Sequence, residues 1–283
     1  MRSRLIASDD LRQMCVIVAL ILIVIAIGCT TAEAVPVPVR FPEGVTHGYL
    51  AVHSVTGETV GHGEIVQVVK DGGLVESRLI FRFKDGSLHD EYVVFSQRRV
   101  FTMTSYHLIQ HGPSFPEQLD ASIDRETAEY KVRLAGNGGK EQVRTGRFDL
   151  PEDTYDGMLI MVLKNLEKGA DTTVNILSFG PEPEVFKLRL EIADKHSIQI
   201  GGNVSHVTRY AFKPQIGMIN KVIGTVIGKV PANFHYDCWI LAHDVPSFVQ
   251  FEGPLQLMGP ILRIDLVSPQ LSVTPENRKN PVR

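Results

Sequence analysis

The pattern of apolar and polar positions changes three times along the chain. Residues 15–28, CVIVALILIVIAIG, form an uninterrupted apolar run, and residues 35–45, VPVPVRFPEGV, then space prolines among valines. From about residue 46, apolar and polar side chains alternate in runs such as GEIVQVVK, LVESRLIFRF and EYVVFSQ. Alternation with a period of two is typical of β-strands. Proline-spaced segments form no internal hydrogen bonds, so residues 35–45 are predicted to be an extended linker.

Turn signals divide the alternating part into strands. Asp71-Gly72 and Asp85-Gly86 lie between apolar runs, where a tight hairpin turn requires a positive φ. The pattern up to residue 147 predicts a β-meander of seven or eight strands. Further strands are predicted at TTVNILSF, EVFKLRLEIA, HSIQIGG, SHVTRYAF and CWILA, with a last hairpin formed by SFVQFEGPL and ILRIDLVS.

One segment has helical spacing instead. Residues 152–168 place apolar side chains three and four positions apart, with acids at the start, lysines at the end and Gly169 after them. Those charges complement a helix dipole, and the glycine fits a C-terminal cap. The sequence therefore predicts a mainly β fold, a curved antiparallel sheet that is a half-barrel or barrel, with one packed helix near 152–168. Residues 46–268 form a single β-rich domain in this prediction, and residues 269–283 form a tail.

The N-terminal apolar run is typical of an export signal, because arginines precede it and small residues follow it. Cleavage after Ala34 would make residues 1–34 the signal. Lipidation of Cys29 would make residues 1–28 a lipoprotein signal and anchor the chain in a membrane. An uncleaved anchor is the third possibility. The sequence thus predicts an exported protein of the periplasm or cell envelope.

Composition excludes some function classes. The chain is 43% hydrophobic and 22% charged, with a formal net charge of −3, so it lacks the basic surface expected of a nucleic-acid-binding protein. Cys238 is the one cysteine beyond the N-terminal region, and its apolar neighbours predict a buried side chain. No nucleotide-binding motif occurs in the sequence, and we expect no cofactor.

The segment YHLIQHGPSFP, residues 106–116, has the residue types of a catalytic or metal site. However, His107 and His111 would lie roughly 13 Å apart along a flat strand, too far to share one metal ion. Ser114 lies in a Gly-Pro turn rather than in a G-x-S-x-G elbow. We therefore assign no catalytic residue and no metal ligand, and interpret the segment as the end of a strand.

A ligand cavity is the remaining hypothesis. On the concave face of a curved sheet, the side chains expected to line it are Tyr106, Gln110, Met158, Met161 and Trp239. The apolar, glycine-spaced residues 216–231 are either a membrane-facing or ligand-gating loop or a buried connection across the barrel mouth.

Several sequence segments also resemble those of known proteins. They are FRFKDGSLHDEYVVFSQRRVF, LIQHGPSFP, LPEDTYDGM, IGKVP and CWILAHDVPSFVQFEGPL. In these the chain resembles a group of uncharacterised exported bacterial proteins and, more distantly, a family known only as a domain of unknown function. The resemblance implies a β protein of the cell envelope, with a lipoprotein-carrier-like half-barrel as the fold analogy. It assigns no catalytic residue, because a shared fold does not define an activity.

Three functions follow as expectations. The first is a non-enzymatic envelope protein that binds a lipid or another hydrophobic small molecule in the concave face of its sheet. The second is a structural or interaction protein with a solid core. The third is a hydrolase whose site is assembled from several strands.

Overall fold

The computed structural model describes residues 36–115, 117–136, 141–167, 171–180, 182–200, 203–214, 235–256 and 259–267. Within these ranges the chain forms fourteen β-strands and one α-helix, α1, at Leu159–Asn165. The strands are β1 Thr46–Ser54, β2 Thr59–Lys70, β3 Leu74–Phe83, β4 Leu88–Gln97, β5 Phe101–His111, β6 Glu117–Asp124, β7 Glu129–Gly136, β8 Gln142–Arg147, β9 Thr172–Phe179, β10 Pro183–Ile200, β11 Asn203–Pro214, β12 Asp237–Leu241, β13 Ser247–Gly253 and β14 Leu262–Val267.

All fourteen strands belong to one antiparallel sheet. The order is β8-β7-β6-β5-β4-β3-β2-β1-β14-β13-β12-β11-β10-β9, so most neighbours in the sheet are also neighbours in sequence. The first and last strands meet in the middle, where Tyr49 of β1 pairs with Val267 of β14. Over the described residues the sheet is open, with β8 and β9 at its two ends. The predicted mainly β fold is confirmed, as an open curved sheet rather than a closed barrel.

Bulges accompany the curvature of the sheet. Four strand pairs shift register, at Val52/His53, Val94/Phe95, Ile192/Asp194 and Trp239/Ile240. A bulge adds one unpaired residue to a strand, which bends it and increases its twist. As a result, side chains from strands far apart in the sheet order, such as those of β4 and β10, pack in one core.

The predicted meander of residues 46–147 is confirmed as the eight strands β1 to β8. Gly72 and Gly86 have φ of 73° and 86°, as the two Asp-Gly turns require. One later prediction was wrong: EVFKLRLEIA and the described part of HSIQIGG lie in the single strand β10. The register shift between Ile192 and Asp194 leaves Ala193 as the extra residue. A bulge interrupts the alternation of apolar residues as a turn would, which is why one strand was taken for two.

The helix is present but shorter than the predicted 152–168. Gly157 has φ of 69°, a left-handed conformation that prevents the helix from extending further toward the N-terminus. No acid therefore lies in the first turn of the helix. Asp153 Oδ1 instead accepts a hydrogen bond from the Asn175 side chain of β9, at 2.7 Å. Lys164 lies in the last turn as expected, whereas Gly169 lies outside the described residues.

Helix α1 packs into the main hydrophobic core of the sheet. The side chains of Met158, Met161, Val162 and Leu163 are at most 2% exposed and belong to the main hydrophobic core. Strands from both halves of the sheet contribute to this core, so the helix packs between them. The predicted packed helix is confirmed.

The predicted linker belongs to the β domain from about residue 36. Val37 is 3% exposed and lies in the main core, and its N–H donates to the Tyr155 hydroxyl at 2.9 Å. Asn165 Oδ1 accepts the N–H groups of Arg40 and Phe41, both at 2.7 Å. These contacts attach the segment to α1 instead of leaving it as an extended spacer.

The predicted processing sites, Cys29 and Ala34, lie outside the described residues, as do residues 216–231 and the tail. Cleavage, lipidation and export therefore stay predictions. In the part of the chain that the structure describes, no helix has the length and apolar character needed to cross a bilayer.

Candidate functional site

A pocket lies at one end of the sheet. Because neighbouring strands run antiparallel, the turns β1–β2, β3–β4 and β5–β6 and the connection β13–β14 all lie at that same end. Together with the residues just before β12, they border a pocket of about 820 Å³. That volume is within the range of small-molecule sites, which are mostly apolar with a few polar groups.

The described lining of the pocket combines apolar and charged side chains. The apolar ones are Val55, Val60, Phe83, Phe115, Leu255, Pro260, Ile261 and Leu262. The polar and charged ones are Ser54, Glu58, Lys84, Asp85, Ser114, His235, Glu252 and Gln256. Phe83 and Phe115 meet edge to face with their ring centroids 5.8 Å apart, a favourable aromatic geometry.

Two turns that border the pocket are fastened to each other. Asp85 accepts hydrogen bonds from the Ser87 N–H at 2.9 Å and from the Ser114 hydroxyl at 2.6 Å. The Ser114 N–H donates to the Ser87 hydroxyl at 2.8 Å. Gly112 permits this approach: its φ is 101°, and a Cβ there would lie 2.6 Å from the Ser87 Cα. The GPSFP turn therefore positions the Phe115 side chain in the pocket wall.

A buried glutamine holds another part of the wall. Gln110 Nε2 lies 2.9 Å from the Leu255 carbonyl oxygen and 2.9 Å from His89 Nδ1. The carbonyl can only accept, so Gln110 donates to it with one amide hydrogen and to His89 with the other. His89 Nδ1 must then be the unprotonated nitrogen. Burial lowers the pKa of His89 to about 4, which keeps its ring neutral.

A second, partly buried polar cluster lies away from the pocket, between β5 and β9. The Tyr106 hydroxyl donates to Glu91 at 2.6 Å, and the Tyr106 ring stacks on Phe179 with centroids 5.8 Å apart. Asp156 accepts the Leu177 N–H at 2.9 Å. Burial raises the pKa values of Glu91 and Asp156, and their mutual repulsion raises that of Asp156 further.

The five residues predicted for a ligand cavity are distributed over the core and the sheet. Met158 and Met161 lie in the main core, as does Tyr106. Gln110 is buried behind the pocket wall, and Trp239 is half-buried on β12, on the face opposite its buried neighbours. None of the five lines the 820 Å³ pocket. Their assignment as cavity residues stays a prediction.

The residues considered for catalysis or metal binding have other partners. His107 Nε2 pairs with Asp120 at 2.8 Å, and the Ser114 hydroxyl donates to Asp85 in the turn described above. Among the described residues, no group of three or more histidine, cysteine, aspartate or glutamate side chains could hold a metal ion. Cys238 is buried, as predicted, and burial raises its pKa.

The sequence analysis missed the residues that form the pocket. Phe115 and Leu255 lie in connections rather than strands, and we attributed no function to apolar side chains there. Both follow strands that end at the same end of the sheet, which an antiparallel order would have revealed. An apolar residue within a turn, at the end where several turns meet, is the signal that could have indicated a site.

Comparison with known proteins adds little. No family model matches the chain, and no curated protein matches it, so the family resemblance stays a prediction. A solved structure described as MucB in complex with MucA(peri) is 12% identical over 78% of this chain and 86% of that chain, with a TM-score of 0.15. A TM-score this low does not establish a common fold.

Proposed function

We propose that this chain is an exported, non-enzymatic binding protein that holds a lipid or another hydrophobic small molecule. The pocket of about 820 Å³ at the end of the sheet is the observation that carries the proposal. Its apolar side chains would cover an alkyl or aromatic portion of a ligand, and removal of that surface from water would drive binding. The site differs from the one expected from the sequence, because none of the five predicted cavity residues lines this pocket.

Two parts of the described pocket wall are held by hydrogen bonds within the protein. The hydrogen bonds of Gln110 fix the connection at Leu255, and the Asp85–Ser114 bond fixes the turn at Phe115. A preformed site loses less conformational entropy on binding than a flexible one. This rigidity supports a binding role.

Export is the second part of the proposal. Residues 1–34 would direct the chain out of the cytoplasm, with cleavage after Ala34 or lipidation at Cys29. Either route would place the pocket in the periplasm or cell envelope, where hydrophobic molecules need a protein to cross an aqueous space.

Native mass spectrometry of the protein purified from its own envelope tests both parts. We expect a bound apolar molecule, together with a chain that begins at Val35 or at a lipidated Cys29. The variant Ile261→Trp places a large ring in the pocket and should lose the molecule. The control Val245→Trp adds the same ring at a position that is 64% exposed and should keep it. A wild-type spectrum without any bound molecule, combined with no saturable binding of added alkyl compounds, would overturn the proposal.

A second candidate is a protein that binds partners through its outer surface. Tyr49 and Val267 pair across β1 and β14 and are 49% and 40% exposed, so they form an exposed apolar pair on the sheet. The solid core around α1 fits this candidate too. The same native spectra distinguish the two, because a partner would add the mass of a polypeptide rather than that of a small molecule.

A further inference from the structure

The charges around the pocket indicate which hydrophobic molecules it accepts. This inference rests on the proposed function: we infer that the ligand is an amphiphile with a positively charged head group, whose apolar chain enters the pocket while the head group stays among carboxylates at its border.

The described lining of the pocket has an excess of negative charge. It contains the three acids Glu58, Asp85 and Glu252 against the single lysine Lys84. His235 also lines the pocket and lies 2.9 Å from Glu252. Counting His235 as neutral gives three negative side chains against one positive. Counting it as protonated gives three against two, so the excess is negative in either state.

Asp85 is a permanent part of that charge. Its carboxylate accepts the hydroxyl hydrogen of Ser114 and the N–H of Ser87. The hydrogen bond from Ser114 is the main cause that lowers the pKa of Asp85, so this carboxyl group stays ionised well below neutral pH. Glu58 is exposed in the turn between β1 and β2, where a bound head group can approach it.

The arrangement separates the two parts of an amphiphile. Phe83, Phe115 and Leu255 supply an apolar wall, whereas the carboxylates belong to turns and strand ends at the border with water. A cationic head group gains Coulomb attraction there without complete loss of its hydration. An anionic head group on the same chain meets an excess of like charge, and moving it deeper would cost its solvation. Charge complementarity thus favours the cation.

Isothermal titration calorimetry of the mature wild-type protein can test this with three probes whose alkyl chains are of nearly equal length. They are dodecylammonium, laurate and dodecyl maltoside, used below their micelle-forming concentrations in low-salt buffer. We expect dodecylammonium to bind about tenfold more tightly than laurate, with the uncharged maltoside between them. The difference between the charged probes should shrink in high salt, because salt screens exposed charges.

Reversing the charge of Glu58 tests whether this residue contributes to the preference for a cationic head group. Glu58→Lys should weaken dodecylammonium binding severalfold and strengthen laurate binding, while dodecyl maltoside binding changes little. The control Glu129→Lys makes the same change on an exposed acid at the start of β7, at the opposite end of the sheet. It should leave all three affinities as in the wild type. Far-ultraviolet circular dichroism verifies that each variant is folded.

The outcomes separate this inference from the proposed function. Laurate binding as tight as dodecylammonium, or a charge preference that Glu58→Lys does not alter, overturns the inferred head group and leaves a pocket for hydrophobic molecules. If none of the three probes binds saturably, or if Ile261→Trp binds them as the wild type does, the proposed function fails with it.

Discussion

Gln110 joins the pocket wall to the sheet through a single side chain. It is 1% exposed and donates to both the Leu255 carbonyl and His89. In Gln110→Leu both acceptors lose their partner, and each unsatisfied buried group costs roughly 1–3 kcal/mol. We expect the free energy of unfolding, measured in urea, to fall by about 2–4 kcal/mol. Gln118→Leu, at an exposed position of β6, should change it by less than about 0.5 kcal/mol; equal losses in the two variants would contradict this role.

At this scale the sequence predicts which face a residue occupies but not its partners. Alternation along β5 placed Tyr106 and Gln110 on one face, and both are buried. The partners of Gln110 lie 21 and 145 residues away. Such contacts depend on the register of several strands and on a loop path, which local periodicity does not contain.

At the scale of elements, an ion pair attaches the N-terminal segment to α1. Lys164 Nζ lies 2.7 Å from Glu43 Oε1, and the two side chains are 16% and 5% exposed. In Glu43→Gln the ammonium group keeps its charge but loses the countercharge, which should lower the free energy of unfolding by roughly 2–3 kcal/mol. Thermal and urea unfolding measure this change.

The matched control is Glu167→Gln, which removes the partner of Arg40. The Glu167 side chain is 71% exposed, so its removal should cost less than about 1 kcal/mol. If the control destabilises the chain as much as Glu43→Gln does, burial of the Glu43–Lys164 pair is not the reason for its effect.

The strands and the helix were largely predictable, whereas the residues at which they begin and end were not. Two-residue alternation predicted seven or eight strands up to residue 147, because most of these strands bury one face, although β8 has no buried side chain. The helix start was misplaced because Asp153 and Asp156 looked like first-turn acids, while their actual partners, Asn175 and Leu177, belong to β9. Acids before an apolar run can lie in the first turn of a helix or accept hydrogen bonds from a neighbouring strand. Only the tertiary structure decides between these two arrangements.

At the scale of the whole molecule, the curvature of the sheet brings side chains of β5 and β9 into contact. β5 lies inside one half of the sheet order and β9 at its far end, yet Tyr106 stacks on Phe179. The sequence predicted curvature from the lone helix, but the pocket depends on how far the sheet bends and on which turns then meet. These are properties of the assembled sheet, so they could not be read from any one segment.

The partly buried carboxyl groups at this contact predict an unusual dependence of stability on pH. Burial and the nearby Glu91 raise the pKa of Asp156 above its unfolded value of about 4. Between the unfolded and the folded pKa, the folded state binds more protons than the unfolded state, so the protein loses stability as the pH rises. Asp156→Asn removes the charge and keeps an oxygen that can accept the Leu177 N–H. Urea unfolding should show the variant about 1–2 kcal/mol more stable at pH 7.5, with the gain shrinking toward pH 4.

Asp244→Asn, at an exposed position, should show no such gain. A destabilised Asp156→Asn, or a gain that is independent of pH, would mean that the Asp156 carboxylate is well accommodated in the fold.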